Sequence, residues 1–84
     1  MQPSIIGLIL SYNGKHLLEE AIPSYLDNDY SNFEVVVIDN GSTDGTKEWV
    51  NKNYPEVEVL RTEKNLGYAG GFNFGMEAAF NQRN

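Results

Sequence analysis

Phe33-Glu-Val-Val-Val-Ile-Asp-Asn-Gly-Ser-Thr-Asp-Gly-Thr46 is the stretch on which the fold turns. Its first six residues form an aromatic and β-branched run, as in a strand buried inside a sheet, and the run stops at a cluster of turn formers from Asp39 to Gly45. A helix follows: Ser42 or Thr43 is placed to cap it, and Asp44 favours its positive end. Trp49, Val50 and Tyr54 are spaced to pack it back on the sheet. A strand that ends in a turn and returns as a helix is the repeating unit of a parallel α/β sheet.

Working outward, Ser4-Ile-Ile-Gly-Leu-Ile-Leu-Ser-Tyr12 reads as a second buried strand, expected at the centre of the full sheet. After the Asn13-Gly14 turn, Leu17, Leu18, Ala21, Ile22, Tyr25 and Leu26 mark an apolar helical stripe. Pro23 predicts a kink in it or a helix end near Ile22. The polar run from Asp27 to Asn32 closes this first unit. Toward the C-terminus, Pro55 stops the second helix, and Val57, Val59 and Leu60 suggest a short edge strand with Glu56 and Glu58 toward water. Arg61 to Gly71 reads as a loop, and Phe72, Met76, Ala79 and Phe80 as one face of a last helix running to Asn84. The order βαβαβα with right-handed crossovers gives a three-layer α/β fold whose parallel strands lie in order 3-2-1. It is half of a doubly wound, Rossmann-like nucleotide-binding domain. Such sheets bind ligands beyond the carboxyl ends of their strands, where strand order reverses, here beside strand one.

Composition narrows the chemistry. With 84 residues the chain suits one small domain; 12 Asp+Glu against 6 Lys+Arg give a net charge of −6. Scattered cations on an acidic chain leave no electrostatic footprint for nucleic acid. With no Cys and one His, disulfides, thiolate metal sites and multi-imidazole sites are excluded. The apolar run near the start is far shorter than the roughly 20 residues that cross a bilayer, and no basic leader precedes it. The expectation is a chain without a transmembrane segment, cytoplasmic or peripheral to the cytoplasmic face of a membrane.

Three clusters fall at the strand ends: Ser11-Tyr12-Asn13-Gly14, Asp39 to Gly45, and Asn65-Leu-Gly-Tyr-Ala-Gly-Gly71. A tyrosine there can stack on a planar base, and a carboxylate or amide beside it can accept a base N–H or a ribose hydroxyl. Each residue also has a plainer reading. Asp39 equally suits capping of a turn, Tyr12 partial burial, and Ser42, Thr43 and Asp44 helix capping. Trp49, Phe72 and Phe80 suit packing. The first turn lacks G-x-G-x-x-G and no P-loop occurs, which disfavours dinucleotide and P-loop chemistry. Strand one ends without the paired acids of a receiver-type phosphoacceptor.

Ile5 to Asn13, Val35-Val-Val-Ile-Asp-Asn-Gly-Ser-Thr-Asp-Gly-Thr46 and Asn65-Leu-Gly-Tyr-Ala-Gly-Gly-Phe-Asn-Phe-Gly75 together resemble the N-terminal part of a family 2 glycosyltransferase. The third motif, with paired glycines and Asn73, most resembles a rhamnosyltransferase-like branch. The resemblance implies a GT-A fold. It also implies inverting transfer of a sugar from a UDP- or dTDP-sugar donor to an acceptor such as a glycan or lipid-linked glycan, with Mg²⁺ or Mn²⁺ in the full-length enzyme. It places Ser11 and Tyr12 at the pyrimidine, with Tyr12 stacking, and Asn13 among the residues that bind the nucleotide sugar. Asp39 matches the first acid of the family's Asp-Asp pair, and Asn40 stands where the second usually is. The implied donor set is completed by Ser42, Asn65, Gly67, Gly71 and Asn73. The family's Asp-x-Asp metal motif and its catalytic base have no counterpart in these residues. Residues 1–84 are therefore expected to be a nucleotide-sugar-binding part, cut before the metal motif and acceptor half, with no catalytic or metal residue of their own. The alternative is a stand-alone, non-catalytic pyrimidine-nucleotide-binding module, or one that forms a homodimer through an unpaired sheet edge.

Overall fold

A computed structural model describes residues 5–27 and 32–83. Ser4, most of the polar run after Asp27, and Asn84 lie outside the described residues. The elements are β1 (Ile5–Ser11), α1 (Lys15–Leu26), β2 (Phe33–Asn40), α2 (Thr46–Asn53), β3 (Glu58–Thr62) and α3 (Gly67–Arg83). The strands are parallel and ordered β1-β2-β3, as the sequence predicts.

Strand alternation divides the core into two layers. Val35 and Val37 face α1 and α2 and pack with Leu18, Ile22, Val50 and Val57, backed by Trp49 and Tyr54. Val36 and Ile38 point the other way, toward α3, and are fully buried. Four consecutive buried residues, each worth roughly 1.5–3 kcal/mol on burial, make β2 the spine of the molecule. β1 is only half-buried along Ile6–Leu10, because β2 is its one partner strand among the described residues.

Four expectations need correction. α1 runs through Pro23 to Leu26, which overturns the expected helix end near Ile22. Glu19 and Pro23 both lie on its exposed side, so the carbonyl that loses its partner there faces water. β3 begins at Glu58, with Val57 buried in the preceding turn, and it extends through Arg61 and Thr62. The loop after it is short because α3 already starts at Gly67. α3 also presents a different face from the one its large apolar residues suggest. Gly71, Gly75 and Ala79 are its buried positions, whereas Met76 and Phe80 are exposed, Phe80 by 61%.

The reason is close approach. A Cβ on Gly75 would lie 2.1 Å from Cδ1 of Ile38 and 2.5 Å from its Cγ1. One on Gly71 would meet Asn40 Nδ2 and Leu10 Cδ1 at 2.8 Å. Small residues four apart let the helix axis settle onto β1 and β2, which brings its first turn against the strand ends.

Gly75→Ala tests this packing, because two effects oppose each other there. Replacing a mid-helix glycine by alanine ordinarily stabilises by about 1 kcal/mol, while overpacking a tight core costs roughly 1–3 kcal/mol. Urea unfolding is expected to show net destabilisation. A gain in stability would mean that α3 does not press on Ile38.

Candidate functional site

The strands end level with one another. Ser11 pairs with Asp39, Asp39 with Arg61, and Asn40 with Thr62. Asp39 and Asn40 are consecutive, so their side chains leave opposite faces of the sheet. Each organises one side of the strand ends.

On the α1/α2 side, Asp39 is fully buried and both its oxygens are engaged. Oδ1 accepts the Ser42 N–H at 3.0 Å, and Oδ2 accepts Nη1 of Arg61 at 2.9 Å. A buried carboxylate requires such partners. Above it the two β–α turns are clasped together. The Asn13 N–H donates to Ser42 Oγ at 2.8 Å, and the Thr43 N–H donates to Asn13 Oδ1 at 2.7 Å. Asn13 itself has φ 51°, the left-handed conformation that asparagine tolerates in turns. Asp44 joins the starts of two helices: Oδ2 accepts the Lys15 N–H of α1 at 3.3 Å, and Oδ1 accepts the Thr46 N–H of α2 at 3.1 Å as well as the Thr46 hydroxyl. Its carboxyl is held below the ordinary range, first by the Thr46 hydroxyl. Burial acts the other way, and the N–H groups of Lys15 and Thr46 add to the lowering. The α2 N-cap is Gly45 and no side chain caps it directly, so Ser42 and Thr43 serve the clasp rather than the helix cap expected of them.

On the α3 side, Asn40 is almost fully buried and its amide pins the β3–α3 loop. Nδ2 donates to Asn65 Oδ1 at 3.0 Å and to the Gly67 carbonyl at 3.1 Å, and Oδ1 accepts the Leu66 N–H at 3.0 Å. Asn65 Oδ1 also accepts the Gly67 N–H at 2.7 Å, which starts α3. Gly41 locks the two sides together. Its φ is +79°, and a Cβ there would lie 2.5 Å from the Lys64 carbonyl carbon, so the β2–α2 turn lies directly on the backbone of the β3–α3 loop.

The site residues expected from the sequence thus fall into sets. Ser11, Asn13, Asp39 and Ser42 gather under and in the clasp, and Asn40, Asn65 and Gly67 form the opposite loop. Gly71 is buried beneath Asn40, and Asn73 lies on the exposed side of α3. Ser11 Oγ is buried with no hydrogen-bond partner among the described residues. Tyr12 is 51% exposed and borders an open groove of about 510 Å³ whose rim also includes Asn40, Asn65, Gly67, Tyr68 and Phe72. Sequence reasoning missed Arg61 and Tyr68. Neither carries a signal in residue spacing: Arg61 meets Asp39 through strand register, and Tyr68, between Gly67 and Ala69, stands out by its exposure. Among the described residues no group of three His, Asp or Glu side chains stands close enough to hold a metal ion, and no helix is long and apolar enough to cross a membrane.

The model of the family described as glycosyl transferase family 2 matches residues 8–82. The chain is 30% identical over 77 residues to an uncharacterised glycosyltransferase of Haemophilus influenzae, covering 88% of this chain and 24% of that protein. It is 29% identical to TuaG of Bacillus subtilis, a glycosyltransferase named for teichuronic acid biosynthesis, over 93% of this chain and 32% of that one. The chain therefore spans about a quarter to a third of the length of these relatives. Among solved structures it resembles a mannosyltransferase of Pyrobaculum calidifontis in complex with GDP-Man and Mn²⁺. The TM-score is 0.81 at 27% identity, over 93% of this chain and 25% of that one.

The clasp makes a pH-dependent prediction. A carboxyl whose folded pKa lies below its unfolded value, about 3.9 for Asp, stabilises fully above the unfolded value and loses that contribution as pH falls through the folded one. Asp44→Asn is expected to destabilise the chain at pH 7 by about 1 kcal/mol, the size of a lost helix cap. The deficit should shrink below about pH 4. Thermal melts that give the same deficit at pH 3 and pH 7 would show that the charge is not what holds the two helix starts.

Proposed function

The chain belongs to glycosyl transferase family 2, and on that premise we propose that residues 1–84 are the nucleotide-sugar-binding part of an inverting glycosyltransferase. The proposed donor is a UDP- or dTDP-sugar, and the acceptor a glycan or lipid-linked glycan. The observation that carries this reading is the groove along β1, lined by Leu8, Ile9 and Leu10, whose carboxyl end is bordered by the exposed Tyr12 and the Asn40–Asn65–Gly67 loop. Glycosyl transfer is the activity of the family. The likeness to a protein in complex with GDP-Man supports a nucleotide sugar as ligand, and TuaG, named for teichuronic acid biosynthesis, lends some support to a place in cell-wall or polysaccharide biosynthesis. The rhamnosyltransferase-like branch rests on the residues Asn65 to Gly75 alone.

On this reading Tyr12 stacks on the base and Asn65 contributes hydrogen bonds to the nucleoside, while Ser11, whose hydroxyl is buried, supports the donor site from beneath. Asp39, Asn40, Asn13 and Ser42 hold the walls, Gly67 lines the groove, Gly71 seats α3, and Asn73 borders the donor from the helix. The described residues do not fit a divalent ion. Asp39 is committed to Arg61 and Ser42, and Asp44 to two helix starts. Mg²⁺ or Mn²⁺ and the catalytic base are therefore assigned to other sequence of the kind the longer relatives carry, and the chain by itself is proposed to be inactive. A cytoplasmic location fits the use of a nucleotide sugar. One feature favours a second reading, self-association: the outer edge of β1 has no partner strand among the described residues.

Calorimetry with UDP, dTDP and GDP tests the main reading. Saturable binding of UDP or dTDP is expected, weakened roughly tenfold by Tyr12→Ala, with no transfer from a labelled sugar nucleotide. Binding of GDP alone would reassign the donor base, and absence of binding to all three would remove the reading. Light scattering addresses the second reading: a monomer at high concentration excludes pairing through β1.

A further inference from the structure

Both polar side chains that the sequence offers for reading the edge of a base are already occupied. Asp39 is fully buried with each oxygen bonded, and the Asn40 amide donates to Asn65 and Gly67 and accepts from Leu66 and Thr62. What the groove presents instead is the apolar side chains of Leu8, Ile9 and Leu10 and, toward the carboxyl end of β1, aromatic surface. Tyr12 reaches it from the β1–α1 turn. Tyr68 reaches it from the first turn of α3 and is 77% exposed.

An exposed tyrosine on a loose loop would mean little, but this one is held. Its neighbour Gly67 is fixed from both ends, the N–H by Asn65 and the carbonyl by Asn40. Phe72, one helical turn on, braces the Tyr68 ring edge-on, with centroids 5.1 Å apart and an interplanar angle of 71°. Packing that fixes a ring while leaving it open to solvent pre-organises it for a flat ligand, since little rotamer freedom remains to be lost on binding. We propose that Tyr68 supplies a second aromatic surface for the nucleobase, so that the base is held between the α3 and β1–α1 sides of the groove by its faces, with Tyr12 as the other contact. Asn40 is then a positioning residue acting through Tyr68.

This inference rests on the nucleotide-binding reading and is tested with UDP as the probe. Tyr68→Ala is expected to weaken UDP binding by roughly tenfold, as removal of one stacking partner does, and Tyr68→Phe to retain it within about twofold. Tyr68→Phe keeps the ring against Phe72 and should leave the melting temperature unchanged, whereas Tyr68→Ala, which loses that contact, should lower it only slightly because Tyr68 is 77% exposed. In NMR spectra of the complex, the uracil H5 and H6 resonances should move upfield, and part of that shift should vanish in Tyr68→Ala. Wild-type binding with an unchanged Tyr68→Ala affinity overturns the role of Tyr68 and leaves the nucleotide-binding reading standing. Loss of UDP, dTDP and GDP binding in the wild type overturns both.

Discussion

Everything at the carboxyl end of the sheet depends on two consecutive buried polar residues on the central strand. Burying a carboxylate without partners costs more than the marginal stability of a small fold can absorb, and an unpartnered buried amide costs a large fraction of it. Asp39 and Asn40 therefore dictate what surrounds them. The pleat sends one to each face, and each recruits a loop: Ser42 and Arg61 to Asp39, and Asn65, Leu66 and Gly67 to Asn40. Breaking a buried ion pair by removing one partner typically costs about 3–5 kcal/mol. The partial exposure of Arg61 places this pair toward the lower end.

From that pair the rest follows outward. Ser42, drawn down to Asp39, offers its hydroxyl to the Asn13 N–H, and this ties the turn that carries Tyr12 to the turn after β2. Gly41 lets the same turn rest on the backbone between β3 and α3. Three connections that are far apart in sequence thus become one rigid rim. The polar residues of the motifs mostly build this rim, and the exposed rings stand on it.

The fold was legible because its signals are local and repeated. Runs such as Val35 to Ile38, bounded by turn formers, specify buried strands, and three of them alternating with amphipathic stretches leave little topological choice. The misreadings share a cause: they depend on what lies across space. Pro23 was read as an interruption, but its effect depends on whether the freed carbonyl sees water. The face of α3 was assigned from its large residues, whereas Ile38 needed glycine opposite it, and small residues carry no hydrophobic signal. Tyr12 and Asp39 were identified as site residues from position. That Asp39 is sealed by Arg61, and that Tyr68 rather than Phe72 is the open ring of its pair, are matters of register and exposure that spacing does not encode.

The charge balance points the same way. On the proposed reading the ligand would carry an anionic pyrophosphate toward a chain of net charge −6, and the positive features at the strand ends are largely spent internally. The starts of α1 and α2, natural anion sites, share the Asp44 carboxylate. Arg61 neutralises Asp39. Phosphate recognition at this face is therefore weak by construction, and charge compensation falls to a cation or to residues beyond those described. Under that reading, the part of the ligand matched to the groove is its planar, nearly neutral base, which gains from aromatic contact without needing a counter-charge. A strand-end rim built on a sealed carboxylate suits such a group better than it suits a phosphate.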